Sequence, residues 1–376
     1  MSKLRKLIFL LLIAGTLWHF YGETYQQSGV QGVISDVQSD FHNFTQNPKV
    51  SSIMDTVKQE IHLLYNQLTD NEQDNKPSDE PNIEKPELDT PSEQTFSIHN
   101  VEIGDSRSQV EEQVGPPQRS SLNEYGVDWV TYHENYQNFF MASYDDHDQV
   151  VGLYTNQDLI TSTQGITLDS SKETVLTTFD EPLRSIRKGF VNYQVENTGD
   201  YHTFQIDQNY VTIFYDKHDN HLVSAIQIIH EDLENQKEKF YGKPSDLLKE
   251  GFEYQLFDLT NAARAKYGIP TLTWDEAVRT TAQDHSKDMA ENNYFSHNNL
   301  EGQSPFDRMT EDNIEYRMAG ENLAAGQTSS IFAHEGLMNS YGHRENKLKE
   351  EFTSLAVGVG FGTDDQPYFT ENYITR

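Results

Sequence analysis

Three side chains in the last 80 residues have the types and settings to do chemistry together. They are His297 in Ser296-His297-Asn298, Glu321 in Gly320-Glu321-Asn322-Leu323-Ala324, and His343 in Ser340-Tyr341-Gly342-His343-Arg344. Two imidazoles and a carboxylate form a three-ligand set for a divalent ion such as Zn²⁺, with an open position for a water whose pKa the ion would lower. The spacing is not that of a helical His-Glu-x-x-His motif. Without a metal, Glu321 is a candidate general base beside a polarised histidine, and Ser296 or Ser304 a candidate nucleophile, although neither serine lies in a nucleophile elbow. The same residues also admit a structural role. Glu321 and Asn322 would then pin a loop beside Gly320, with Arg344 and Asn346 tying the following turn to it.

The elements that must position these groups follow from periodicity. Phe252, Leu256, Leu259 and Ala263 make an apolar helical stripe that Gly268-Ile269-Pro270 terminates. A second helix is expected from Asp275 to about Asn292, with Ala282, His285 and Met289 on one face, so His285 reads as a satisfied core imidazole. Thr328-Ser329-Ser330 can cap a helix through Asn339. Residues 356–361 and 367–371 read as a closing hairpin. Helices and strands alternate without a strict βαβ rhythm, which points to an α+β arrangement of helices on an antiparallel sheet.

Upstream, residues 96–240 repeat themselves weakly. Ile103, Val110, Val114 and Pro117 match Leu168, Val175, Phe179 and Pro182 at a constant offset of 65. Each copy then runs into aromatic strands, and the turns Tyr144-Asp145-Asp146-His147-Asp148 and Tyr215-Asp216-Lys217-His218-Asp219 correspond. This predicts two tandem modules, about 96–160 and 161–240, each a short helix followed by an antiparallel sheet. Tyr125, Trp129, Tyr132, Tyr136, Phe139 and Phe140 could form a sugar-stacking platform, but alternation along strands favours sheet core. The acids in the turns are explained by turn chemistry.

Lys3, Arg5 and Lys6 precede an apolar run from Leu7 to Tyr21, a charged segment and hydrophobic core of the kind found in a signal peptide or signal anchor, here residues 1–22. An uncleaved anchor is favoured, with the chain after Gly22 outside the membrane. Residues 23–68 read as a stalk in which Ile53, Val57, Ile61, Leu64 and Leu68 form one narrow stripe, and residues 69–95 as a disordered acidic spacer. The 60 acidic and 28 basic residues give a net charge of −32, which argues against nucleic acid as a partner. Cysteine is absent, excluding disulfides, thiolate zinc sites and a cysteine nucleophile.

The C-terminal motifs taken in order resemble the CAP superfamily (cysteine-rich secretory proteins, antigen 5, pathogenesis-related 1), also called the SCP domain. They are Asn261-Ala262-Ala263-Arg264, Leu272-Thr273-Trp274-Asp275, His285-Ser286-Lys287-Asp288-Met289, Phe295-Ser296-His297, Ser304-Pro305-Phe306-Asp307-Arg308, the Gly320 and Ser340 segments, and the final hairpin. The Gly115-Pro116-Pro117, Trp129 and Val151-Gly152-Leu153-Tyr154 segments resemble the CAP-associated N-terminal domain of Gram-positive bacterial proteins. The resemblance implies a C-terminal three-layer α-β-α sandwich at 250–376. It also implies a cleft in which His297, His343 and Glu321 match two histidines and one carboxylate that bind a divalent metal in some members. The family's second cleft glutamate is missing: Ser340 stands near its position, and His334 or Glu335 on the same helix are the candidates to substitute. The implied functions are binding of a cell-envelope, lipid-like or peptide ligand, or alternatively metal-assisted hydrolysis of peptide or wall material. Independently of the resemblance, the tandem repeat and its aromatic strands raise a third reading, in which residues 96–240 are a partner-binding or regulatory domain docking on the C-terminal one.

Overall fold

A computed structural model describes residues 83–376 apart from 189, 190 and 196–198. The expected anchor, the stalk and the first part of the spacer lie outside the described residues. Among those described, no helix is long and apolar enough to cross a membrane. Residues 83–95, expected to belong to a disordered spacer, are instead held on the first domain. The Ile83 N–H donates to Gln137 Oε1 at 3.1 Å, Lys85 pairs with Asp158 at 2.5 Å, and the N–H groups of Ser92, Glu93 and Gln94 donate to the Glu102 carboxylate at 2.8, 2.9 and 2.6 Å. Polar contacts with the neighbouring domain do the holding here, and composition alone does not reveal them.

The first domain opens with β1 (Phe96–Ile98) and α1 (Arg107–Val114), the latter started by a capping box between Ser106 and Gln109. Strands β2 (Arg119–Leu122), β3 (Asp128–Glu134), β4 (Gln137–Tyr144) and β5 (Val150–Thr155) follow, then β6 (Ile160–Ser162), which pairs with β1. The second copy supplies α2 (Lys172–Thr178), a hairpin of β7 (Ser185–Lys188) and β8 (Val191–Gln194), and strands β9 (Tyr201–Ile206), β10 (Asn209–Asp216) and β11 (Leu222–His230). Helix α3 (Glu231–Gln236) closes the domain.

The repeat is real, but its two copies are not separate modules. Their strands form one seven-stranded antiparallel sheet, ordered β2-β3-β4-β5-β11-β10-β9 and joined where Ile226–Ile229 pairs with Gly152–Thr155. Ile103, Val110, Leu168 and Val175, matched in sequence, share one core. Joining β5 to β11 satisfies an edge that each half-sheet would otherwise expose. Trp129, Tyr132, Phe139 and Phe140 are wholly buried, as the alternation required, while Tyr125 and Tyr136 are only partly covered.

The second domain begins with α4 (Asp246–Lys266), followed by β12 (Thr273–Trp274), α5 (Glu276–Asn292), α6 (Pro305–Glu311), β13 (Met318–Ala325), α7 (Ser330–Met338), α8 (Tyr341–Lys347), β14 (Ser354–Phe361) and β15 (Pro367–Thr375). Its sheet is ordered β12-β14-β15-β13, antiparallel except for the short β12–β14 pair. One face carries Leu355, Val357, Val359, Phe369 and Tyr373 against Leu248, Phe252 and Leu256 of α4 and Leu337 of α7. The other carries Ala356 and Ile374 against Val278 of α5 and Met309 of α6. The result is the three-layer α-β-α sandwich. Gly358 is essential to its spacing, since a Cβ there would lie 2.1 Å from the backbone of Ala282 and Gln283.

The two domains share a polar seam. Asp258 of α4, fully buried, accepts from Arg119 at 2.8 Å and from Tyr136 at 3.0 Å. Gln255 donates to the Leu122 carbonyl at 2.9 Å, and Arg344 of α8 pairs with Asp216 of β10 at 2.9 Å.

Candidate ligand-binding cleft

Strand β13 places Glu321 opposite Asn372 and Asn322 opposite Glu371 in the β13–β15 register. The loop after α5 brings His297 to the same edge. It is held from below by His285, whose ring donates from Nε2 to the Ser296 carbonyl at 3.0 Å. His285 is therefore the buried, engaged imidazole that its spacing predicts, and burial lowers its pKa. Helix α8 presents His343 next to the same place, close enough that a charge on His297 would lower the His343 pKa.

The Glu321 side chain is almost wholly buried and both of its oxygens are engaged. Oε2 accepts from Arg308 Nη2 at 2.6 Å, and Oε1 accepts from His297 Nδ1 at 2.9 Å. Arg308 also donates to the carbonyls of His297 and Gln303, at 2.8 and 3.1 Å, so one guanidinium ties the histidine loop to the carboxylate. Because a carboxylate can only accept, the Glu321 contact places a proton on His297 Nδ1 and leaves Nε2 as the ring nitrogen outside that bond. His343 Nδ1 shares a 2.8 Å hydrogen bond with Ser340 Oγ. Ser340, which replaces the expected second glutamate, thus orients His343 without adding charge. Neither histidine Nε2 has a protein partner among the described residues. Burial lowers the His343 pKa, an effect that Glu371 opposes and that His297 and Lys347 reinforce, so the ring is neutral near pH 7.

Beneath the cleft lies a closed network. Lys347 and Glu371, both fully buried, pair at 2.5 Å. Lys347 also donates to Thr260 Oγ1 at 2.9 Å and meets His334 Nδ1 at 3.3 Å, while Glu371 accepts from Asn322 at 3.0 Å and Tyr373 at 2.7 Å. Asn322 reaches the His343 carbonyl at 3.0 Å, and Asn346 bridges the Glu321 carbonyl and Asn322 Oδ1 at 3.3 and 2.9 Å. Asn346 therefore takes the tying role foreseen for it, whereas Arg344 turns to the seam.

Several candidates lie elsewhere. His334 is buried behind Lys347, which together with burial drives its pKa well down, and it does not join the histidine pair. Glu335 points to the first domain, accepting from Tyr154 at 2.6 Å. Neither replaces the missing glutamate, because the helix face carrying them packs inward. Ser304 caps α6 and donates to Asp307 Oδ2 within that capping box, and Ser296 Oγ accepts from the Asn298 N–H, so neither bond ties a serine to His297, His343 or Glu321. The three-ligand metal set does not fit this arrangement: Glu321 is committed to Arg308 and His297. Among the described residues, no group of three or more histidines and acids is placed to hold an ion. Arg308, Lys347 and Glu371 were missed as site residues, and Ser340 was placed near the absent glutamate's position without its bond to His343 being foreseen. A buried Arg or Lys on a polar-looking helix gives no periodic signal, and its partner is distant in sequence.

Comparison with known proteins fits both domains. The sequence model of the CAP-associated N-terminal domain matches residues 103–240, and that of the cysteine-rich secretory protein family matches residues 257–373. An uncharacterized membrane protein of Bacillus subtilis, YlbC, is 30% identical over 293 residues, covering 73% of this chain and 82% of its own length. A second Bacillus subtilis protein, YkwD, is 42% identical over 107 residues, which are 28% of this chain and 42% of that protein. An extracellular SCP-domain protein from Bacillus anthracis superposes with a TM-score of 0.63 at 26% identity, covering 79% of this chain and all of that one. A cysteine-rich secretory protein from Staphylococcus aureus shares the fold at a TM-score of 0.59 and 13% identity, over 76% of this chain and 95% of its own.

Proposed function

The chain belongs to the cysteine-rich secretory protein (CAP) family, with a CAP-associated N-terminal domain ahead of its CAP domain. From that premise we propose that it is an extracytoplasmic protein whose His297–Glu321–His343 cleft binds a cell-envelope ligand, lipid-like or peptide, rather than turning one over. The observation that carries this reading is the double engagement of Glu321 by Arg308 and His297. A carboxylate that already accepts from a guanidinium and an imidazole is a poor general base, and the hydrogen bonds of both candidate serines lead away from the histidine pair, that of Ser304 being spent on a helix cap. What remains open to a ligand is a pair of imidazole Nε2 atoms at a cleft whose floor is rigidified by the Lys347–Glu371 network. That arrangement suits recognition of a hydroxyl, amide or headgroup donor.

An outside location is supported by the charged and apolar N-terminal sequence, by the membrane protein named among the relatives and by the extracellular SCP protein among the structures. The test is sedimentation of the full-length protein with isolated cell-wall and membrane fractions, alongside a His297→Ala/His343→Ala variant. We expect at least a tenfold loss of binding in the variant. Stoichiometric zinc in the wild type, together with peptide turnover that His343→Ala abolishes, would establish the hydrolase instead. An ion would then have to rest on the two Nε2 atoms without Glu321.

A further inference from the structure

A cavity of about 560 Å³ opens at the domain seam, within the size range of about 300–1,000 Å³ typical of small-molecule sites. It is separate from the histidine cleft. Its walls come from the β7–β8 hairpin, the second-copy strands, residues 237–241 and the segment Ala325–Thr328 that follows β13. Two aromatic banks face it. Tyr201, Phe214 and Phe332 interlock with ring centroids 5.1–5.6 Å apart, and Tyr193 and Tyr241 pack on Phe240 at 5.9 and 4.9 Å.

Its charged side chains are drawn into local contacts. Lys188 pairs with Glu234 at 2.6 Å, with Lys237 at 3.8 Å from the same carboxylate; Lys239 pairs with Asp365 and Asp200 with Lys217; Glu335 holds the Tyr154 hydroxyl. Each of these side chains already has a polar partner, with Lys188 and Lys237 sharing the Glu234 carboxylate, so an ionic ligand would have to compete with existing contacts. The lining also holds polar atoms in need, the Gln327 Oε1 acceptor and, deeper, a Gln227 donor. Gln227 is 2% exposed, lines the cavity, and its Nε2 has no hydrogen-bond partner among the described residues. A buried, unsatisfied amide donor is costly and rare in a native protein, which makes it a pointer to a missing acceptor.

We propose that this seam cavity is a binding site for an uncharged saccharide. A sugar ring offers apolar C–H faces to aromatic side chains and hydroxyl or acetamido oxygens to an amide donor, with no charge to desolvate. The buried hydroxyls of Thr203 and Thr212 extend the polar part of the lining.

The test is calorimetric titration of the full-length protein with the N-acetylglucosamine trimer and maltotriose, with trialanine and trigalacturonic acid as controls. At least one neutral trimer should bind, and both Gln227→Leu and Tyr193→Ala should weaken it tenfold or more. Gln227→Leu should leave the Tm unchanged or raise it, because an isosteric apolar group removes an unpaired donor. His297→Ala/His343→Ala should bind the sugar as the wild type does, so the fate of the cleft reading does not decide this one. No binding of either sugar, binding indifferent to both variants, or preference for trialanine or the anionic trimer would each overturn the proposal.

Discussion

Lys347 and Glu371 show how far the cleft depends on single side chains. Each is fully buried and each satisfies the other together with neutral partners. Removing one member of such a pair strands a charge, at a cost of about 3–5 kcal/mol, whereas replacing both with apolar groups is often near neutral. Lys347→Met is therefore expected to lose about 3–5 kcal/mol in urea unfolding, with most of it recovered in Lys347→Met/Glu371→Leu. His343 makes a second prediction. Its folded pKa lies below the ordinary value of 6.5 because of burial, so the unfolded chain takes up the proton first as pH falls. The stability it contributes is intact above pH 6.5 and is lost as pH falls through its lower folded value. The urea midpoint should drop more steeply below pH 6.5 in the wild type than in His343→Asn.

Among the elements, α4 matters most, because it is both the core helix of the CAP sandwich and the face that meets β2. Gly251 makes that approach: a Cβ there would sit 2.1 Å from the Leu122 carbonyl oxygen. In an exposed helix, Gly→Ala gains up to about 1 kcal/mol. Here the contact reverses the sign. Gly251→Ala should lose about 1–3 kcal/mol by overpacking, seen as a lower Tm in calorimetry. The elements were largely legible in the sequence: Asp275 caps the expected helix, Ser329 caps α7, and each copy of the repeat carries a short helix followed by antiparallel strands. Hydrophobic period and cap chemistry are local signals, and they survive folding. Legibility ended where residues distant in sequence meet. That β5 pairs with β11 turns two expected sheets into one, and nothing in either strand alone announces it. Likewise the motifs located His297, Glu321 and His343, but Arg308 and Ser340 revealed their roles only through contacts. The inward turn of His334 and Glu335 depends on a seam that the motifs do not encode.

Over the whole molecule, the seam should make stability depend on pH through Glu124. Glu124 lies in the β2–β3 turn with its backbone against Gly242, and desolvation of its buried carboxyl, against the pull of Lys237, pushes the pKa up to about 7 from 4.5. Its folded value lies above its unfolded one, so the stability linked to it is present below pH 4.5 and lost as pH rises through about 7. Glu124→Gln should remove that loss, on the order of 3 kcal/mol by pH 8. Guanidinium unfolding of wild type and variant at pH 5 and 8 checks it, and a gap that does not widen with pH would count against it. The order of strands in the CAP sheet bears on biosynthesis. β15 lies between β14 and β13, which do not pair with each other. While the chain is being made, the first domain can close on its own sheet, but the strand bearing Glu321 waits with an open edge until β15 arrives. The cleft is thus among the last parts to form, and a nascent chain stopped before Pro367 would carry both histidines yet expose two sticky strands to whatever chaperone or neighbour meets them first.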